Sequence, residues 1–136
     1  MNSYSEQIGK FAGDLKLADV PPAVVKKAKL VFLDTLGVAL ASSTMDFGAM
    51  VSHVAKKLGG AGDSVIIGSP DRVAAANAVI ANGTLAHGLD YDDTLEEAIV
   101  HTGSCAWMTA FAVAEETAAS GAALLAAAIV GTEEIG

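Results

Sequence analysis

Alanine runs such as Ala74-Ala75-Ala76 and Ala126-Ala127-Ala128 set the tightest limit on what this chain can fold into. Hydrophobic residues make up 52% of its 136 positions but aromatic residues only 5%, so a core must be assembled from small aliphatic side chains. Alanine loses the least side-chain entropy on entering a helix, and its small volume lets helix axes approach closely. The composition therefore predicts a mainly α chain of closely packed helices. A chain of this length buries one core, and nothing in it marks a boundary between two domains.

Local signals divide the chain into about six helices. Ile8, Phe11, Ala12 and Leu15 recur at helical spacing within Ser3 to Leu17, with Ser3 or Ser5 as N-cap. Proline suits the first turn of a helix, so the second should start at Pro21 or Pro22 and run to about Ser42. Its second half, Val31 to Ala41, is apolar on every side except at Asp34 and Thr35. That pattern predicts a buried helix, with Asp34 as a buried structural hydrogen-bond acceptor. A third helix is expected from Asp46 to Leu58, ended by Gly59-Gly60-Ala61-Gly62.

That glycine cluster is not a dinucleotide loop, which needs a strand before it and a helix after it. Here a helix precedes it and an extended Ser64 to Ile67 follows. After a turn at Gly68-Ser69-Pro70-Asp71, helices are expected from Arg72 to about Leu85, Thr102 to about Ala118, and Gly121 to Ile135. The last carries Glu133 and Glu134 where a helix C-terminus prefers cations. The chain thus reads as the N-terminal part, residues 1–136, of something longer.

A net charge of −8 argues against nucleic acid as a partner, because phosphate binding depends on clustered Lys and Arg. The one cationic cluster, Lys26-Lys27-Lys29, reads as a solvated helix face. A lone cysteine, Cys105, excludes an internal disulfide and reads as a small core residue. The polar start lacks the pattern of a secretory signal, and the apolar runs fall short of a membrane span. A soluble cytoplasmic protein with no membrane partner is the expectation.

Chemistry concentrates at Ala86-His87-Gly88-Leu89-Asp90-Tyr91-Asp92-Asp93-Thr94 and His101. Three aspartates and two histidines fall between positions 87 and 101. Crowded carboxylates raise one another's proton affinity, which suits proton transfer. In an extended segment Asp90 and Asp92 share a face, and in a helix Asp90 and Asp93 do. The plainer alternative is that the aspartates cap a helix and His87 is a core histidine bonded to backbone. Asp and His can also ligate metal, but no His-x-x-x-His or equally compact spacing appears, and no metal is expected. No serine sits in a Gly-x-Ser-x-Gly elbow.

Leu33-Asp34-Thr35-Leu36-Gly37, Ala81-Asn82-Gly83-Thr84-Leu85-Ala86-His87, Leu89-Asp90-Tyr91-Asp92-Asp93-Thr94 and His101 with Gly103 together resemble the N-terminal helical domain of the MmgE/PrpD family. The resemblance runs from the first helix to the last residue. It implies a partial helical domain whose smaller α/β lid domain lies beyond residue 136. It also implies cofactor-free, metal-independent acid–base chemistry on a small di- or tricarboxylate. The reaction would be a dehydration or decarboxylation, with epimerisation as the alternative outcome of the same proton abstraction.

On this resemblance Asp90 and His101 match the catalytic pair; His87 and Asp93, in the same segment, are the expected substrate-binding residues. Histidine suits proton transfer near neutral pH, and Asp90 is expected to orient it. Asp92, Asp93 and Thr94 are expected to cap the adjoining helix and hold the loop. Thr102 stands where the family usually has proline, and Leu95-Glu96-Glu97 replaces aromatic or proline residues, which leaves the substrate open. Three aspartates need cations before they can share a site with carboxylates. Arg72 is the cation expected near the motif, and further lysines would come from beyond Gly136. The segment alone is then expected to be inactive, and a homodimer is expected from the family's habit. The non-enzymatic alternative is a truncated helical module that self-associates.

Overall fold

A computed structural model describes residues 3–96 and 99–135. Helix α1 spans Tyr4–Asp14, and a single 3-10 turn, Leu17–Asp19, leads to the long α2, Pro22–Ser42. Helix α3 follows at Asp46–Gly59. A two-stranded hairpin, β1 at Ser64–Val65 and β2 at Arg72–Val73, precedes α4, Ala75–His87. Helices α5, Thr102–Glu116, and α6, Gly121–Ile135, complete the described chain. The architecture is the mainly α bundle expected, with six helices among the described residues.

Several ends follow from local chemistry. The Ser3 hydroxyl accepts from the Glu6 N–H at 3.2 Å while the Glu6 carboxylate accepts from the Ser3 N–H at 2.7 Å. This reciprocal capping box satisfies two donors that would otherwise lack partners. Pro22 opens α2, where its missing N–H costs nothing. Past the end of α3, Gly60 adopts φ +57°, a left-handed value that glycine takes without penalty. Gly62 then passes against β2 so closely that a Cβ would lie 2.4 Å from the Val73 carbonyl.

Helix α4 is the central element, packing against α2, α3 and α5. Its buried residues are Ala75, Ala78, Ala81, Asn82, Leu85 and Ala86, so small side chains set the approach of its neighbours. Against Gly83, a Cβ would sit 3.2 Å from the Ser104 carbonyl of α5. One side of the core is almost all alanine and valine around Ile66, joining Ala55, Val73, Ala78, Ala81 and Ala112. The other holds the bulk: Phe32 stacks on Trp107 with ring centroids 5.2 Å apart, beside Met108, Leu85 and Ile129.

Three expectations are corrected. Residues Arg72 and Val73 form a strand, antiparallel to β1 in the register Ser64↔Val73 and Val65↔Arg72, and the helix begins only at Ala75. Their backbone groups pair across the hairpin, a tertiary use that helix propensity does not register. Helix α2 is not buried all round: Ala28, Thr35, Ala39 and Ser42 face inward, while Leu30, Leu33 and Leu40 are each more than half exposed and Asp34 is exposed. The bundle covers only one side of α2 among the described residues. Cys105 is exposed, because Gly103, Ser104, Ala106 and Trp107 take the buried face of α5. No single described helix is long and apolar enough to cross a membrane.

Candidate active site

The acidic segment joins the end of α4 to the start of α5, and both helix ends contribute a histidine. His87 is the last residue of α4 and His101 is the N-cap of α5. After His87 the chain turns tightly: the Asp90 N–H donates to the His87 carbonyl at 2.8 Å, with Asp90 at φ +56°. Aspartate is among the few residues besides glycine and asparagine that tolerate this left-handed conformation. The turn leaves Tyr91 on the surface and sends Asp92 inward. Further on, Leu95 bridges to Val100 and returns the chain to His101.

Asp92 has a side chain with no solvent exposure, set between the two imidazoles. Its two oxygens lie 3.1 and 3.2 Å from His87 Nδ1, and Oδ1 lies 3.4 Å from His101 Nδ1. The Thr94 hydroxyl is 3.5 Å from the same His101 nitrogen. Asp90 lies on the outer side, 80% exposed, with Oδ1 3.8 Å from His101 Nε2. The two imidazole centroids are 4.8 Å apart and tilted by 57°. One nitrogen or oxygen from each of His87, Asp90, Asp92 and His101 can be chosen so that all lie within 4.8 Å of one another.

Asp93 points the other way. Its Oδ2 accepts from the Thr102 hydroxyl at 2.7 Å and its Oδ1 from the Gly103 N–H at 2.9 Å, so this carboxylate caps α5 from nine and ten residues upstream. Gly103 is required there: a Cβ would lie 2.1 Å from Asp93 Oδ1 and 3.0 Å from the Thr35 hydroxyl. Asp93, Gly103 and Thr35 thus meet at one point, where α2, α5 and the loop converge. His101 makes no side-chain capping bond to its own helix and stays free to face Asp90 and Asp92.

The structure redistributes the roles expected of these residues. Asp90 and His101 do come together, and Asp93 caps the adjoining helix as anticipated, whereas Thr94 makes no cap among the described residues and instead faces His101 Nδ1. Asp92 is the buried carboxylate between the imidazoles rather than a cap, and His87, expected to bind substrate, is a half-exposed member of the cluster, which sets aside the plainer alternative of a core histidine. The compact His and Asp grouping that no spacing announced is present, because a left-handed residue between two helix ends folds distant positions together. Arg72 is not at the site: its guanidinium bonds the Asp63 carbonyl and lies 3.5 Å from Glu115. Lys27 lies on the Asp93 side of the loop. It lines, with Asp93, both an open cavity of about 1010 Å³ against Leu89 and Tyr91 and a smaller one of about 270 Å³ against Trp107 and Thr132.

Residues 6–136 match the model of the MmgE/PrpD N-terminal domain. The chain belongs to the MmgE/PrpD family. Over 105 residues it is 30% identical to cis-aconitate decarboxylase of Homo sapiens and 28% identical to that of Mus musculus. These alignments take in 76% of this chain and 22% of each relative, so the chain spans about a fifth of the length of those proteins. The MmgE/PrpD motifs acquire physical roles in this fold. Asn82, fully buried, accepts from the Ile67 N–H and donates to the Val65 carbonyl, both at 2.9 Å, and so clamps the β1 segment to α4. The Asp-Thr pair of α2 contributes Thr35 to the Asp93 and Gly103 junction, and the two histidines close on Asp92.

Proposed function

We propose that this segment supplies the acid–base half of an MmgE/PrpD lyase site, acting on a small di- or tricarboxylate by dehydration or decarboxylation. The observation that carries the reading is a carboxylate without solvent exposure, Asp92, facing His87 Nδ1 and His101 Nδ1 while Asp90 borders His101 Nε2. A buried carboxylate facing Nδ1 holds the proton there and leaves the lone pair on Nε2, the nitrogen turned outward. His101 Nε2 then takes a proton from, or returns one to, the carbon next to a substrate carboxylate. In dehydration, proton removal accompanies loss of hydroxide from the neighbouring carbon. In decarboxylation, carbon dioxide leaves and the carbanion is protonated at carbon.

In this division of labour Asp92 is the positioning residue, Asp90 contacts the substrate edge beside Nε2, and His87 completes the proton network. Asp93 acts at a distance by fixing the start of α5. Lys27 is the described cation best placed near the loop for a substrate carboxylate, and further cations come from elsewhere in the assembled site. The similarity to cis-aconitate decarboxylases favours decarboxylation of an unsaturated tricarboxylate over epimerisation.

The test is turnover of cis-aconitate and of hydroxytricarboxylates by the protein carrying this segment, compared with its His101→Gln and Asp92→Asn variants. Both should lose activity by about 10²- to 10⁴-fold, the range for removing a general acid–base group or its tautomer anchor. Helical circular dichroism should be unchanged in His101→Gln. Undiminished turnover in that variant removes His101 from the chemistry and overturns the reading.

A further inference from the structure

We infer that His87, Asp90, Asp92 and His101 form a site for one divalent transition-metal ion of zinc's chemistry, and that its occupancy switches off the acid–base function. The second half rests on the function proposed above, whereas the binding itself does not.

Two imidazoles and two carboxylates are the nitrogen and oxygen donors that zinc and its neighbours accept, while magnesium and calcium favour all-oxygen sites. Bonds of 2.0 to 2.1 Å to a tetrahedral ion imply donor–donor edges of about 3.3 Å. Two of the separations here match that edge: 3.1 Å from His87 Nδ1 to Asp92 Oδ1 and 3.4 Å from His101 Nδ1 to the same oxygen, while Asp90 stands on the Nε2 side of His101. With one donor atom taken from each residue, all four fall within 4.8 Å of one another, so rotation of the exposed Asp90 side chain and small shifts of the imidazoles close the shell.

The donors are also held before any ion arrives. His87 ends one helix, His101 begins another, Asp92 is fixed in the interior and Asp90 is set by its left-handed turn. Asp90 and Asp92 in their charged forms would neutralise a dication. The Asp92 oxygen that faces both imidazoles is the donor common to the two short edges. A metal on His101 Nδ1 leaves the ring proton on Nε2, and a metal on Nε2 takes that lone pair itself, so in either case metal and turnover exclude each other.

Cobalt(II) added to the chain reports the site directly, since an ion in a four- or five-coordinate shell absorbs visible light. We expect saturation at one equivalent and loss of the band when zinc(II) displaces cobalt. His87→Ala and His101→Ala should each weaken binding at least tenfold, and Asp90→Asn, an exposed change to another residue that tolerates the left-handed backbone, should weaken it as well. His53→Ala, on the exposed face of α3, should leave it unchanged. Absence of saturable binding, or binding indifferent to His87 and His101, overturns the site. With binding established, zinc should inhibit turnover over the same concentration range and EDTA should restore it. Turnover unaffected by bound zinc, or dependent on it, overturns the switch. Loss of the acid–base reading through an active His101→Gln protein would leave the cobalt result standing, so the two failures are separable.

Discussion

Replacing Asp93 with alanine tests the joint on which the site depends. The carboxylate accepts two hydrogen bonds at the start of α5, from Gly103 N–H at 2.9 Å and Thr102 Oγ1 at 2.7 Å, in place of a cap from His101. Loss of a capping side chain costs about 1 kcal/mol, and loss of a negative charge at a helix N-terminus about 0.3 to 1 kcal/mol. Thr102 and Gly103 are both buried, and a buried donor left without a partner costs about 1 to 3 kcal/mol. These contributions overlap, and together they predict a destabilisation of about 2 to 4 kcal/mol for Asp93→Ala. Asp93→Asn, which keeps one carbonyl acceptor, should lose about half as much. Urea unfolding followed by circular dichroism and by the fluorescence of Trp107, itself on α5, gives both values. A loss below about 0.5 kcal/mol in Asp93→Ala would refute the capping argument. Gly103→Ala adds a second readout. Its Cβ would meet Asp93 Oδ1 at 2.1 Å, so the substitution should destabilise the wild type strongly and an Asp93→Ala background much less. Additive losses in that double-mutant cycle would show that the two positions are not coupled.

Asn82→Ala should cost about 2 to 4 kcal/mol, because it leaves the Ile67 N–H and the Val65 carbonyl without their side-chain partner in the interior; a loss under about 1 kcal/mol in the same urea assay would mean that the clamp is dispensable. The carboxyl of Asp71 is held below the usual carboxylate range by its hydrogen bond from Lys56 at 2.8 Å, with a further one from Ser69 at 2.6 Å. A depressed native value means that this stabilisation is present above the unfolded-state value near pH 4 and disappears as pH falls through the native value. Asp71→Asn should therefore flatten the acid side of the stability curve below about pH 4, and added salt should weaken the wild-type effect. An acid limb identical in both proteins would contradict it.

Much of the fold was legible because its signals are local. Ser3 with Glu6, Pro22, and the glycines after Lys57 carry their meaning within one helical turn, and the helices end close to where those residues predict. What escaped depends on partners far away in sequence. Arg72 and Val73 become a strand only because Ser64 and Val65 lie alongside, and the apolar residues of α2 read as buried although the described bundle covers one side. At the site, the crowding of His and Asp was visible but its geometry was not. Spacing treats Asp90, Asp92 and Asp93 as near equivalents, whereas a left-handed residue at 90 sends 92 inward and 93 toward Gly103. Lys27 escaped for the same reason. Its neighbours in sequence mark a solvated face, and only packing brings that face beside Asp93.

The division of labour between Asp93 and His101 explains why the acidic segment needs so many carboxylates. An N-cap side chain ordinarily spends its hydrogen-bonding capacity on its own helix. A histidine at that position would be poorly suited to capping and, if it did cap through one nitrogen, would carry its proton on the other and have no lone pair left to act as a base. Asp93 removes the conflict by capping α5 from the preceding loop, and the close approach that this requires is possible only because residue 103 is glycine. His101 then combines the rigidity of a helix terminus with a free imidazole, which Asp92 can orient from within the protein and Asp90 can meet from outside. Three neighbouring aspartates thus hold three different positions: one secures the helix, one faces Nδ1, and one borders Nε2. A substitution at Asp93 should consequently lower activity as well as stability, by displacing His101 relative to Asp92 while every group of the cluster remains present.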